Sequence, residues 1–91
     1  MKYKVCYIKT RKETDCLYVV SNSDLEIFFL NQIAFQVLMY IKNDLEKNEI
    51  IDELRKIYLV NIDSLKNDVE QTILYLEKNN LITKGNDKNE W

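Results

Sequence analysis

The chain has no histidine and no proline, and its only glycine is Gly85 among 91 residues. Without histidine the commonest general acid–base is missing, and a Ser–His or Cys–His nucleophilic pair cannot be assembled. A single glycine rules out a glycine-rich phosphate loop. The cysteines number two, Cys6 and Cys16. Two thiols without histidine fall short of the usual four zinc ligands, so no metal or cofactor is expected. They are read as free thiols of a reducing compartment. No apolar run reaches the ~20 residues that span a bilayer. The start, Met1-Lys2-Tyr3-Lys4, lacks the apolar stretch of a signal peptide. The expected location is therefore the cytoplasm, with no membrane contact. The formal charge of −2 gives little grip on nucleic acid.

What is present is globular. The composition is 46% hydrophobic and 31% charged, enough for one small core. Residues 1–83 are expected to form a single domain and residues 84–91 a polar tail. The central stretch is Glu26-Ile27-Phe28-Phe29-Leu30-Asn31 followed by Gln32-Ile33-Ala34-Phe35. Ile27, Phe28 and Phe29 favour a strand. Asn31 can cap a helix, with Leu30 and Phe35 at staple spacing. Glu26, Phe28 and Leu30 point one way; Leu25, Ile27 and Phe29 point the other. A strand with one solvated face should alternate more cleanly. Either the domain covers both faces or a partner covers one.

Two strands precede this one. Residues 2–10 alternate, with Tyr3, Val5 and Tyr7 on one side. Residues 11–15 are a polar turn, and residues 16–20 are rich in β-formers. Residues 21–24, Ser-Asn-Ser-Asp, form a second turn. The short connections give an antiparallel meander. The period then becomes helical. Ile33, Ala34, Val37, Leu38 and Ile41 make one stripe from 32 to about 42. A second helix follows a cap at Asn48, with Ile50, Ile51, Leu54, Ile57 and Tyr58 recurring. A third follows a cap at Asp63 and runs to about 79, with a stripe of Leu65, Val69, Thr72, Ile73 and Leu76. Leu81 and Ile82 pack back on the core. The expected fold is α+β and winged helix-turn-helix-like: a three-stranded antiparallel meander, then three helices.

Two features point to function. Leu74 and Tyr75 lie off the core face of the third helix, which suits a partner surface. The strand at 25–30 ends the meander, so it can lie at a sheet edge. Edges are normally blunted by lysine, proline or a bulge, and here only Glu26 is charged. Such an edge accepts an extended peptide as an added strand; it can also pair with a second copy and give a homodimer. As the recognition helix of a DNA-binding regulator the third helix is poorly suited. Asp63, Asp68, Glu70 and Glu77 outnumber Lys66 and Lys78, and groove-reading helices are usually basic. The regulator remains the alternative reading, and a structural domain of a larger complex a third. Ser21, Ser23 and Ser64 have no histidine to activate them, and the carboxylates sit at helix starts and solvated faces, so no enzymatic activity is expected.

Three segments, FFLNQIAFQVLMYI, NEIIDELRKIY and NIDSLKNDVEQTILYLEKNNLI, follow one another in an order that resembles the PqqD-like family. The matching positions are Leu30-Asn31 at the strand end, Ala34, Glu53-Leu54 with Tyr58, Asp68-Val69 and Leu81-Ile82. The resemblance spans roughly 17–83. It departs between the first two helices, where Asn43-Asp44-Leu45 replaces the family's glycine. It implies a non-catalytic recognition domain for ribosomally synthesised, post-translationally modified peptides. Such a domain binds the leader segment of a precursor beside the third strand. It then presents the peptide to a separate enzyme, a radical S-adenosylmethionine enzyme or, in lasso-peptide systems, a leader peptidase. Carried onto this sequence, the site is Glu26, Ile27, Phe28, Phe29 and Leu30 on the strand. On the helix it is Leu65, Val69, Thr72 and Ile73.

Overall fold

The computed structural model describes residues 3–6 and 8–84. The strands are β1 (Tyr3–Val5), β2 (Lys9–Thr14), β3 (Leu17–Ser21), β4 (Ile27–Asn31) and β5 (Ile82–Lys84). The helices α1 (Gln32–Lys42), α2 (Lys47–Ile57) and α3 (Ile62–Lys78) lie between β4 and β5. Three strands form one antiparallel sheet in the order β2-β3-β4, and β1 pairs with β5 in a second. The expected meander and three helices are present.

The first strand differs from its expectation. Residues 3–5 leave the meander and pair with the chain's far end, Val5 opposite Ile82 and Tyr3 opposite Lys84. Cys6 continues this, its N–H donating to the Leu81 carbonyl at 3.0 Å. The meander's first strand is instead β2, so Arg11 to Thr14 are strand rather than turn, and the turn is only Asp15 and Cys16. Local alternation cannot reveal this, because the partner of β1 is nearly eighty residues away in sequence. Of the expected polar tail only Lys84, in β5, is among the described residues.

The helix starts follow capping chemistry. Asn31 Oδ1 accepts from the Ala34 N–H at 2.8 Å, as its position suggested. The other two caps lie two residues before the expected ones. Asn61 caps α3, its Oδ1 accepting from Asp63 at 2.8 Å and Ser64 at 3.3 Å. Glu46 is the N-cap of α2, and its N–H donates to Glu49 Oε1 at 2.8 Å. Two helices end in Schellman motifs. Asp44 and Asn80, at φ 69° and 61°, take the left-handed position. Leu45 N–H then donates to the Tyr40 carbonyl at 3.1 Å and Leu81 N–H to that of Leu76 at 2.9 Å. Asp44 thus does the work of the glycine missing from this loop, since Asp and Asn tolerate that conformation best after glycine.

The core draws on every layer: Val20 and Leu30 from the sheet, Val37, Leu38 and Ile41 from α1, and Ile50, Ile51 and Leu54 from α2. α3 adds Leu65, Val69, Ile73 and Leu76, and the chain end adds Leu81 and Ile82. Tyr18 on β3 stacks on Phe35 of α1, ring centroids 3.9 Å apart and planes 2° from parallel, fixing α1 beneath the sheet.

Candidate functional site

Among the described residues β4 pairs with β3 alone, in the register Val19 opposite Phe29 and Ser21 opposite Ile27. Its other side is a free edge, so alternate N–H and C=O groups of Ile27–Asn31 face outward. The two faces of the strand have different environments. Leu30 is buried in the core and Phe28 half-buried against it. Ile27 and Phe29 are 63% and 62% exposed. The domain covers one face and leaves the other apolar and open. Glu26 precedes the strand and is exposed.

The C-terminal half of α3 reaches β4 at one ring contact. The Phe28 and Tyr75 rings meet edge to face, centroids 6.3 Å apart and planes at 86°. Helical spacing puts Thr72, Gln71 and Asp68 on the Tyr75 flank. This revises the helix half of the expected site. Leu65, Val69 and Ile73 are buried in the core in this structure, so they are not exposed beside β4. Thr72 is half-buried and Tyr75 exposed, so the accessible flank lies about a quarter-turn from the expected one. Of the expected stripe, Leu65, Val69, Ile73 and Leu76 are buried and Thr72 alone is partly accessible. Tyr75 carried the better signal, as a large aromatic off the core face. Leu74, which shared that signal, faces the other way, toward Tyr3 and Lys47.

The carboxylates serve local structure. Asp52 pairs with Arg55 at 3.9 Å, Glu53 with Lys56 at 3.1 Å and Glu70 with Lys47 at 2.8 Å. All three pairs are solvent-exposed and worth little individually. Lys47 holds the Glu70 carboxyl below the ordinary glutamate range, by hydrogen bond first and charge second. Among the described residues no cluster of His, Cys, Asp or Glu could hold a metal, and no helix is long and apolar enough to cross a membrane.

A solved structure superposes on this arrangement. The fold is that of TbiB1. That structure, TbiB1 in complex with the TbiA(beta) leader peptide, matches 92% of this chain and 99% of its own with a TM-score of 0.77. Sequence identity to TbiB1 is 16%, so what is shared is the fold. No family model matches the chain, and no curated protein does. The resemblance read from the sequence and the backbone of TbiB1 thus lead to the same architecture by separate routes.

Proposed function

We propose that this chain is a non-catalytic recognition domain that binds the leader segment of a ribosomally synthesised precursor peptide. The leader adds as a strand along β4, beside the Tyr75 flank of α3, and the domain presents it to a separate modifying enzyme. The observation that carries this reading is the free, uncharged edge of β4, bordered by an aromatic flank. It occurs in a fold shared with a protein solved with a leader peptide on it. Main-chain bonds along β4 would supply affinity, and side chains at alternate leader positions would supply selectivity. The peptide would turn one set of side chains toward Phe28 and Tyr75 and the other toward the open side with Ile27 and Phe29. The partner enzyme is of the radical S-adenosylmethionine or leader-peptidase type, working in the cytoplasm where precursors are made. The acid-rich α3 speaks against DNA as the partner.

The test is fluorescence anisotropy with labelled N-terminal segments of short candidate precursors encoded beside this gene. Saturable binding to one segment, competed by unlabelled peptide, is the expected outcome. A folded chain that binds none of them, yet shifts duplex DNA in a salt-dependent way, contradicts the reading.

A further inference from the structure

One buried amide joins the β3–β4 turn to the end of α3. Asn22 is 2% exposed, although residues 23–27 after it are all exposed. Its side chain is fully used. Nδ2 donates to the Asn79 carbonyl and to Glu26 Oε1, both at 2.9 Å. Oδ1 accepts from the N–H groups of Asp24 and Glu26, both at 3.0 Å. Two donors and two acceptors are the whole capacity of the amide, so its orientation is fixed. The main chain adds to the knot: Asn22 N–H donates to the Glu26 carbonyl at 3.1 Å, and Leu25 N–H to that of Asn22 at 3.0 Å.

Three of the four side-chain bonds are local to the turn. The fourth crosses 57 positions of sequence to Asn79, the C-cap of α3, whose carbonyl has no partner within the helix. That contact lies one helical turn beyond Tyr75, and the turn it holds leads directly into β4. The same knot holds Leu25 at φ 66°. Leucine is uncommon there, and such a residue persists only where its surroundings over-determine it.

We propose that Asn22 is the positioning residue of the peptide site. Through Asn79 it fixes the separation of the β4 edge from the Tyr75 flank before any peptide arrives. A strand adding to β4 then meets the edge and the Tyr75 flank without first drawing them together, and preorganisation of this kind saves ordering cost on binding. The Phe28–Tyr75 contact alone is a poor gauge, because ring contacts tolerate sliding, whereas the amide bond is directional. This inference rests on the strand-addition reading above.

The variant N22D/E26Q separates the two duties of the side chain. The carboxylate that replaces the Asn22 amide keeps the oxygen that accepts from the turn. The amide that replaces the Glu26 carboxylate can donate to its second oxygen. Only the donor to Asn79 is lost, replaced by an oxygen facing a carbonyl. The probe is a fluorescein-labelled extended peptide selected on the wild-type chain from a displayed library, measured well below either unfolding midpoint. Relative to Glu26→Gln alone, which carries the same change in the peptide site, affinity should fall about ten-fold or more, the scale of a typical site-to-site coupling. The Phe28–Tyr75 ring cross-peaks should weaken while the amide shifts of Val37 and Leu54 stay native. Ser23→Ala should bind as wild type. A folded N22D/E26Q that binds within two-fold of Glu26→Gln, ring cross-peaks intact, overturns the inference and leaves the peptide reading standing. A library that yields no binder overturns both. Should the variant fail to fold, the wild-type chain still decides. Saturating peptide should slow hydrogen exchange of the Asn22 side-chain amide, and unchanged exchange would contradict the proposed role.

Discussion

The two edges of the β2-β3-β4 sheet are built on opposite rules. β2 is exposed along its whole length, carries Lys9, Arg11, Lys12 and Glu13, and has a register irregularity between Lys12 and Thr14. Charge and irregularity are the usual means of keeping an edge from pairing with other chains. β4, two strands away, has unbroken register and no charged residue from Ile27 to Asn31. The core accounts for Phe28 and Leu30 but not for the exposed Ile27 and Phe29. Both edges pair with β3, and only the inner face of β4 enters the core. The contrast between a charged edge and a bare one is what the proposed strand addition requires.

That comparison can be broken by making β4 resemble β2. Phe29→Asp places a charge on the open apolar strip. Leader affinity should fall by at least about 1.4 kcal/mol, ten-fold, by anisotropy. Stability should change by only about 0.5 kcal/mol in denaturant titration, because the residue is exposed. Equal losses in both assays would mean that the strip serves the fold. The reverse swap sharpens the point. Arg11→Val with Lys12→Thr removes charge from β2, and concentration-dependent self-association should appear in sedimentation while leader affinity at β4 holds. Tyr75→Ala should have a smaller effect. Its ring already pairs with Phe28 in the free chain, a contact worth about 0.5–1.5 kcal/mol, so binding should weaken several-fold and the melting temperature should fall by a few degrees.

The smallest effect is at the Lys47–Glu70 pair between α2 and α3. Glu70 has a lowered pKa in the folded chain through Lys47. Its contribution to stability is complete above the ordinary glutamate pKa and is lost as pH falls through the lowered value. Acid titration of Lys47→Ala should lack that slight slope, and leader binding near neutral pH should match wild type.

Much of this was legible in the sequence. The helix stripes, the Asn31 cap and the alternation through β4 are local patterns that survive into the structure, except that Ile57 is exposed and Tyr58 lies past the end of α2. The β4 face with Ile27 and Phe29 was visible as a face in need of a cover. Two kinds of feature were not legible. Pairing of β1 with β5 depends on the two chain ends meeting, which no local period encodes. The accessible flank of α3 depends on the helix's rotation against the sheet. The stripe of Leu65, Val69 and Ile73 marks what is hidden, while the flank beside β4 is marked only by Tyr75. Asn22 was readable as a turn former, because its bonds to Asp24 and Glu26 are local. Its bond to Asn79 is tertiary and left no trace in sequence spacing.

The most direct test of strand addition is amide hydrogen exchange across the chain, with and without a saturating leader segment. The account predicts new protection at alternating amides within Ile27–Asn31, none along Lys9–Thr14, and an unchanged core. Protection centred on β2 or α2, with β4 exchanging as in the free chain, would contradict it.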